Sequence, residues 1–249
     1  MKIVLLGTGT GIPVPERGYA GVYVRVQHDH VLFDAGPGTL KQLAKLGFTY
    51  LDLDRIFLTH YHPDHCLDLV SILFAMRIPQ PARTKPLTIY GPHGLTTLYR
   101  RLNTAFQRWI APTTYRLILR ELGDTAFRVG GYRIQTKRMN HATDALGYRI
   151  ETKGASVAYS GDTDVCNAIV ALGRRVDLLI LECSMTDERR VTGHLTPTAC
   201  GQIASRAGCH HLVLTHFYPV FSGYNIRQRV RRWYRGRLTL GRDLATFDL

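Results

Sequence analysis

The sequence predicts an α/β fold with more than one β-sheet, and three observations lead to that prediction. Short runs rich in Val, Ile, Leu, Tyr and Phe recur along the chain and are bounded by Gly, Asp or Pro, as strands are. Segments with apolar residues at helical spacing separate several of these runs. Several strands look apolar on one face only, which favours layers of strands and helices with more than one sheet.

The predicted strands alternate in part with the predicted helices. The segments with the composition of strands are 2–7, 21–26, 30–36, 55–60, 87–91, 132–137, 146–151, 155–161, 177–182 and 211–216. The segments with a helical pattern are 64–77, 93–108, 164–173 and 197–206. The last helix has well-marked ends, because Thr196 can cap its N-terminus, Pro197 suits its first turn and Gly208 can terminate it.

Length and composition predict one domain over residues 1–249. The hydrophobic fraction of 45% and the charged fraction of 20% are those of a soluble globular protein with a large core. No apolar run reaches the about 18 residues that a membrane span needs, so we expect no membrane partner. The opening MKIVLLGTGTG is too short and too rich in glycine for a signal peptide, and a cytoplasmic location is therefore expected.

The five cysteines do not indicate a disulfide framework. Their number is odd and no two of them form a CxxC pair. Both a set of disulfides and a thiolate zinc site are therefore disfavoured. Buried free thiols are the expectation for most of them.

The charge of the chain favours anionic partners. Lys and Arg number 32 and Asp and Glu 19, which gives a net charge of +13. Such a balance suits nucleic acids, nucleotides or phosphoesters, although an arginine-rich composition scattered over the surface would give the same total. The segment 225–237 holds six arginines with Trp233 and Tyr234. It is either a solvated face or a surface that contacts nucleic acid.

The stretch IFLTHYHPDH, residues 56–65, concentrates possible metal ligands at the end of a strand. His60 and His62 alternate along an extended segment and so point the same way. Pro63 then begins a helix, which brings Asp64 and His65 to the same rim. Imidazole and carboxylate groups suit zinc, manganese or iron. The alternative is a polar turn that happens to be rich in histidine, and such a turn would need no partners elsewhere.

Partners for this stretch do occur elsewhere, each at the end of a predicted strand. They are Asp34 in VLFDAG, His141 in RMNHATD, Asp162 in VAYSGD and His216 in LVLTH. Each residue taken alone is more often a satisfied surface or core group than a ligand. Together they favour a metal site, and the number of donors exceeds what one tetrahedral ion needs. Two ions are therefore expected.

In this order, Asp34, HYHPDH, His141, Asp162 and His216 resemble the five sequence motifs of the metallo-β-lactamase superfamily. The match extends from residue 5 to residue 217. The resemblance implies an α/β fold built as a four-layer αββα sandwich. It also implies two metal ions at one edge of the facing sheets.

The resemblance implies a role for each motif residue. One metal would be bound by His60, His62 and His141, and the other by Asp64, His65 and His216. Asp162 would bridge the two metals, and Asp34 would orient a ligand histidine from behind. The expected ions are zinc, with manganese or iron as alternatives. A homodimer is the assembly that the resemblance suggests.

Further motifs resemble the ribonuclease Z branch of this superfamily: LGTGTGIPVPERGYA, FDAGPGT, LTIYGPHGL and GHLTPTACGQIA. His194 in the last motif matches a histidine that the branch uses in catalysis, and it precedes a helix N-terminus that favours anions. A loop histidine without function is the alternative. Between His141 and Asp162 the sequence predicts two strands and a short TKG turn. That leaves no room for the arm with which tRNA-maturing members grip tRNA.

The resemblance therefore predicts a binuclear phosphodiester hydrolase acting on a small phosphodiester or cyclic nucleotide. A hydroxide bridging the two metals would attack phosphorus. His194 would stabilise charge or protonate the leaving group, and Asp64 would also handle the proton of the nucleophile. Three alternatives stay open at this point. They are a ribonuclease Z-type endonuclease on RNA or tRNA 3′ ends, a lactonase- or thioesterase-like carbonyl hydrolase, and a nucleic-acid-binding protein that has lost catalysis.

Overall fold

Two seven-stranded β-sheets form the centre of the computed structural model, which describes residues 1–141 and 144–249. The strands of the first sheet are β1 (Lys2–Gly7), β2 (Gly21–Val26), β3 (Asp29–Phe33), β4 (Arg55–Phe57), β5 (Leu87–Gly91), β6 (Leu117–Glu121) and β14 (Thr246–Asp248). Those of the second are β7 (Thr125–Val129), β8 (Tyr132–Arg138), β9 (Leu146–Glu151), β10 (Ser156–Tyr159), β11 (Leu178–Glu182), β12 (His211–Thr215) and β13 (Arg237–Leu240).

Each sheet has an antiparallel part and a parallel part. The first has the order β14-β1-β2-β3-β4-β5-β6 and is parallel from β3 to β6. The second has the order β13-β12-β11-β10-β9-β8-β7 and is parallel from β10 to β13. In the parallel parts the carboxyl ends of neighbouring strands lie at the same edge, where loops carry functional groups. The last strand, β14, returns the chain to β1.

Helices cover the outer face of each sheet. They are α1 (Thr39–Lys45), α2 (Pro63–Cys66), α3 (Asp68–Ala75), α4 (Leu95–Ala105), α5 (Asn167–Leu172), α6 (Pro197–Ala207) and α7 (Ile226–Arg231). None of these helices, which are those of the described residues, has the length and apolar character that a membrane crossing requires.

Three apolar clusters separate four layers, which confirms the αββα sandwich. In β1, Ile3 and Leu5 face the cluster between the sheets, whereas Val4 and Leu6 face the cluster beneath α1 and α3. This alternation has the period of two residues that a strand imposes. The third cluster lies between the second sheet and α5, α6 and α7. The organisation of residues 1–249 as one domain stays a prediction.

Tertiary hydrogen bonds correct one predicted helix. The segment 64–77 divides into α2 and α3, because the backbone N–H of Asp68 donates to Ala35 O at 2.8 Å instead of continuing the helix. The helix that begins at Pro197 is confirmed, with the Thr196 side chain accepting a hydrogen bond from the N–H of Ala199 and with Gly208 in the left-handed conformation. Within the basic segment 225–237, only α7 is helical.

The two sheets are joined by hydrogen bonds at the edge where the histidine-rich stretch begins. The N–H of Leu146 in β9 donates to Thr59 O at 2.8 Å, and the Tyr148 hydroxyl donates to Leu58 O at 2.7 Å. Gly161 permits a further close approach, since a Cβ at that position would lie 2.6 Å from the Cβ of Thr59. These contacts fix the chain just before His60 against the second sheet.

Candidate metal centre

The candidate ligands meet where strands of both sheets end. His60 and His62 follow β4, and Asp64 and His65 lie in α2. From the second sheet, His141 follows β8, Asp162 follows β10 and His216 follows β12. The structure therefore brings together all seven residues that the sequence predicts as ligands, in two groups that share one edge.

The first group contains His60, His62, His141 and Asp162. His62 Nδ1 lies 3.0 Å from His60 Nε2 and 3.4 Å from His141 Nε2. Asp162 Oδ2 lies 3.8 Å from His60 Nε2. A tetrahedral zinc site with metal–nitrogen bonds of about 2.05 Å has ligand atoms about 3.3 Å apart. The observed spacing is therefore that of donors around one ion.

The second group contains Asp64, His65 and His216, and it faces the other oxygen of Asp162. Asp162 Oδ1 lies 3.3 Å from His65 Nε2 and 3.5 Å from His216 Nε2. Asp64 Oδ2 lies 3.5 Å from His216 Nε2 and 3.8 Å from His65 Nε2. Asp162 thus offers one carboxylate oxygen to each group, which is the geometry that a bridging ligand requires.

Two features of the cluster show that these residues suit metal ions. Asp162 is 3% exposed, and its buried Oδ1 accepts no hydrogen bond from the described residues. Such an atom is costly unless a cation satisfies it. The Nε2 atoms of His65 and His216 lie only 3.0 Å apart, so a proton or a metal ion must separate their lone pairs.

The protein also fixes which ring nitrogen each histidine presents. His65 Nδ1 donates to Asp34 at 2.8 Å, His141 Nδ1 to Gly193 O at 2.9 Å and His216 Nδ1 to Ser184 Oγ at 3.0 Å. In each case Nε2 is left with a lone pair directed into the cluster. His60 follows the same rule, because its Nδ1 lies 3.0 Å from the hydroxyl of Thr59.

Asp34 is the carboxylate behind the ligands of the first sheet. It is fully buried, and it accepts hydrogen bonds from His65 Nδ1, from the Thr59 N–H at 2.7 Å and from the Tyr159 hydroxyl at 2.9 Å. The Thr59 hydroxyl also donates to it, which leaves the oxygen of Thr59 free to accept from His60. Asp34 therefore supports one ligand in each group.

Glu182, the last residue of β11, is the carboxylate behind the site residues of the second sheet, and it was not predicted from the sequence. It is 1% exposed, and Oε1 accepts from His194 Nδ1 at 3.0 Å and from the Thr163 N–H at 2.8 Å. Oε2 accepts from the Ser184 hydroxyl at 2.6 Å and from the Leu195 N–H at 3.1 Å. The sequence does contain a signal that could have identified Glu182. The strand segment DLLILE ends in this acidic residue at the edge of the site, just as Asp34 in VLFDAG follows a strand at that edge.

His194 lies beside the cluster with one nitrogen already committed. Its Nδ1 donates to Glu182 and lies 4.0 Å from Asp162 Oδ2. Its ring centroid is 5.1 Å from that of His141 and 6.3 Å from that of Tyr218. A third possible ligand group joins His194 to Asp162 and His216. Since Nδ1 is held by Glu182, only Nε2 of His194 can act on a bound molecule.

The electrostatics of the metal-free site follow from burial and from these two carboxylates. Burial lowers the pKa of His60 well below its ordinary value. Burial also acts to lower the pKa of His65, but Asp162 and Asp34 outweigh it and hold that pKa well above the ordinary value. In His194, burial is likewise outweighed, and the hydrogen bond to Glu182 raises the pKa to about 8. Burial acts to raise the pKa of Asp64, but His216 and His65 lower it to about 2.

Two of the site residues have a backbone conformation that non-glycine residues rarely adopt. Asp34 has a φ of 57° and His216 a φ of 61°. Both follow the last residue of a buried parallel strand, and the left-handed turn redirects the chain at the site edge. Strain of this kind persists only where the surrounding contacts determine the conformation, and it is concentrated at functional sites.

The amino-acid sequence matches a known family over most of its length. Residues 29–217 match the family model described as Beta-lactamase superfamily domain. A ribonuclease Z from Streptomyces coelicolor is 28% identical over an alignment of 295 positions, which covers 98% of this chain and 96% of that protein.

Solved structures with the same fold cover the whole chain. Human tRNase Z, short form, superposes with a TM-score of 0.82 at 26% identity and covers 100% of this chain and 99% of that one. The metallo-beta-lactamase fold protein YhfI from Bacillus subtilis has a TM-score of 0.85 at 24% identity, with 99% and 98% of the two chains covered. At 24% identity, the similarity to YhfI is evidence for a shared fold only.

Proposed function

The chain belongs to the metallo-β-lactamase superfamily and is a hydrolase, and from that premise we propose that it cleaves phosphodiester bonds with two divalent ions. One ion would be held by His60, His62 and His141, and the other by Asp64, His65 and His216, with Asp162 shared. When bound, such ions lower the pKa of a coordinated water and neutralise the oxygens of a phosphate.

The remaining steps belong to side chains of this chain. His194 would donate a proton from Nε2 to the leaving oxygen, since Nδ1 is held by Glu182 at 3.0 Å. As an imidazolium it would also stabilise the negative charge that develops on the phosphate. Asp64, a carboxylate at the edge of the second ligand group, would accept the proton of the attacking water.

The observation that carries this proposal is the position of His194. It is a cationic acid placed beside the bridging carboxylate and it is not needed to complete either ligand group. A phosphodiester requires such a donor because its leaving alkoxide is a poor leaving group, and the charge of +13 suits a phosphate substrate. The relatives named ribonuclease Z support the same chemistry.

The test replaces His194 with Ala in the metal-loaded protein. We expect kcat for the dinucleotide ApA, whose leaving group is an alkoxide, to fall by about 10²- to 10⁴-fold while two ions per chain remain bound. His93→Ala is the matched control, because His93 is a loop histidine whose side chain is 82% exposed and pairs with Glu121. Full activity in His194→Ala would remove this residue from the mechanism. A wild-type preference for lactones or thioesters over the phosphodiester would overturn the proposal itself.

Two substrate classes compete within this chemistry. We propose a small phosphodiester or cyclic nucleotide, because the described residues between His141 and Asp162 form only β9, β10 and their connections. The second candidate is cleavage of RNA or tRNA 3′ ends, which the relatives named ribonuclease Z favour. Cyclic nucleotides and precursor tRNA assayed side by side separate them, and the higher kcat/KM identifies the substrate class.

Metal identity, assembly and location belong to the same proposal. We propose zinc in both positions, since imidazole and carboxylate donors of the kind found in both groups suit a tetrahedral zinc ion. Metal analysis of protein purified without added metal tests this, and manganese or iron in excess of zinc would overturn it. The sequence resemblance supports a homodimer, and a cytoplasmic location stays a prediction from the sequence. Light scattering on the eluted protein measures the mass, and a monomer of 28.1 kDa would contradict the dimer.

A further inference from the structure

A cavity of about 280 Å³ lies beside His194, between α6, α7 and the loop before His194. His194 lines it together with Arg190, Arg229 and Gln202. Its volume is just below the about 300–1,000 Å³ of pockets that hold a whole small molecule. The cavity therefore suits one part of a substrate whose reacting group lies at the metal centre.

The carboxylates of this cavity are already committed to other groups. Asp187 accepts from the N–H of Thr198 at 3.0 Å, from the Thr198 hydroxyl at 2.8 Å and from the Tyr224 hydroxyl at 3.0 Å. Asp164 accepts from the N–H of Val165 at 2.7 Å and from that of Gly193 at 3.3 Å. Both carboxylates therefore accept hydrogen bonds from groups other than the arginines, and Asp164 accepts from Arg190 as well.

The two arginines are held by fewer contacts than these carboxylates. Arg190 is 64% exposed and contacts the buried Asp164 at 3.0 Å, and the guanidinium carbon of Arg229 lies 5.4 Å from the ring centroid of Tyr224. Arg229 contacts Glu188 at 2.7 Å, and that glutamate is 55% exposed. An exposed pair such as Arg229–Glu188 contributes about 0–1 kcal/mol, so an incoming anion can replace Glu188 at little cost. Arg190 can keep its pair with Asp164 and offer its remaining N–H groups to the same anion. Two guanidinium groups at one cavity are the groups that bind phosphate best, because they bond in a bidentate way.

The other two arginines of α7 have structural partners. Arg227 donates to Leu238 O at 3.3 Å and Arg231 donates to Gly236 O at 2.5 Å, both within the chain's own last strands and turns. Of the arginines in α7, Arg229 is the one that lines the cavity beside His194. That residues 225–237 contact nucleic acid stays a prediction.

We propose that Arg190 and Arg229 form a subsite for a second phosphate of the substrate, adjacent to the phosphate that is cleaved. This inference rests on the proposed function, and it narrows the small phosphodiesters proposed there to those with a second phosphate, such as a short oligonucleotide, in preference to cyclic nucleotides. A cyclic nucleotide, which has one phosphate, leaves the subsite empty. Both arginines are specificity-determining residues that bind substrate away from the reacting atoms.

The kinetic test compares three substrates of the metal-loaded protein: the dinucleotide ApA and its two forms with one further phosphate, pApA and ApAp. We expect wild type to prefer one phosphorylated form over ApA by about 10-fold or more in kcat/KM, through KM, since a hydrogen bond to a charged group contributes about 1.5–3 kcal/mol. In the double variant Arg190→Ala/Arg229→Ala this preference falls below about 3-fold. The preferred isomer shows on which side of the scissile bond the subsite lies.

The matched control is Arg133→Ala, because Arg133 is 48% exposed and pairs with Glu151 at 3.2 Å in the second sheet. It should keep the wild-type preference. A double variant that also keeps it, or a wild type without any preference, would overturn the subsite while leaving phosphodiester hydrolysis intact. Wild type that cleaves neither these three substrates nor a cyclic nucleotide would instead contradict the proposed function, whereas cleavage of cyclic nucleotides alone would overturn the subsite.

A binding measurement decides the subsite independently of activity. Metal-free protein is titrated calorimetrically with thymidine 3′,5′-bisphosphate, which carries two phosphates and needs no cleavage. We expect wild type and Arg133→Ala to bind equally and the double variant to bind at least about five-fold more weakly. Equal affinity of all three proteins would refute the subsite.

Discussion

Two buried carboxylates support the candidate centre, one from each sheet, and they support different parts of it. Asp34 accepts hydrogen bonds from His65 and Thr59, and through Thr59 it orients His60. Glu182 holds His194 directly and holds His216 through the Ser184 hydroxyl. The first carboxylate thus orients candidate metal ligands, whereas the second orients chiefly the residue that is not needed as a ligand. In the proposed mechanism, metal binding and proton transfer would therefore depend mainly on different buried groups.

The largest effect that separates these two roles is expected from Glu182→Gln. A glutamine has the same shape, but its amide cannot accept from all four donors that surround Glu182. His194 then loses its orientation, and kcat should fall by about 10²- to 10³-fold with two ions still bound. Steady-state kinetics with metal analysis measures both quantities. If the variant loses both metal ions together with its activity, Glu182 supports metal binding as well, and the division of roles between Glu182 and Asp34 is wrong.

Asp34→Asn should give the converse result. The asparagine presents an N–H₂ group to His65 or Thr59, and the tautomer that frees Nε2 is no longer favoured. Changes of this kind typically lower metal affinity by about 10- to 100-fold. Competition with a chromogenic chelator measures the affinity. Activity at saturating metal should recover most of its wild-type value, and unchanged affinity would show that Asp34 does not orient the ligands.

Ser184→Ala should have a smaller effect, confined to one ligand. His216 Nδ1 loses its acceptor, but Asp64, His65 and Asp162 still surround the second position. We expect metal affinity of that position to fall by about 10-fold or less, at the lower end of such changes. Stepwise metal titration followed calorimetrically resolves the two positions. An equal loss at both would mean that the two groups are not independent.

The smallest expected effect is on stability, and it concerns the buried residue His211. Unlike His65 and His194, this histidine has no carboxylate as a hydrogen-bond partner among the residues that the structure describes. His211 bonds to the Thr239 hydroxyl at 2.9 Å, and burial followed by the charge of Arg237 lowers its pKa to about 4. The folded state therefore binds fewer protons than the unfolded state below pH about 6.5. Stability should decrease as pH falls from about 6.5 towards 4, and it should decrease less in His211→Gln.

Urea unfolding of the metal-free protein at pH 7, 6 and 5 measures this difference for wild type and His211→Gln, with wild type as its own reference at pH 7. The ligand histidines titrate in both proteins, so the difference between them isolates His211. A parallel decline of the two curves would show that burial does not lower the pKa of His211 in the folded protein.

The candidate ligands could be predicted from the sequence, both those at 60–65 and the distant ones, and the structure brings them together. The donors at 60–65 lie within six positions, and the distant ligands each follow an apolar run, so strand ends were recognisable. The break at Leu67 could not be predicted, because it depends on the hydrogen bond from Asp68 to Ala35 across the loop. Helical periodicity carries no information about such a tertiary bond.

Glu182 and the edge strands were missed for related reasons. A single acid at the end of a strand looks like any surface residue until His194, Ser184 and the loop backbone are placed around it. Strands β6 and β7 are partly exposed and carry arginine and threonine, so their alternation of apolar residues is weak. Their strand conformation comes from pairing with β5 and β8 rather than from their own composition.

The left-handed conformations of Asp34 and His216 have a consequence for the history of related chains. At these two positions glycine would relieve a strain of about 1–3 kcal/mol each. At position 34, however, it would leave the buried donors of Thr59, His65 and Tyr159 without an acceptor, at a cost of about 1–3 kcal/mol for each donor. In a related chain, a residue other than aspartate at this position should therefore be accompanied by changes at those three donors.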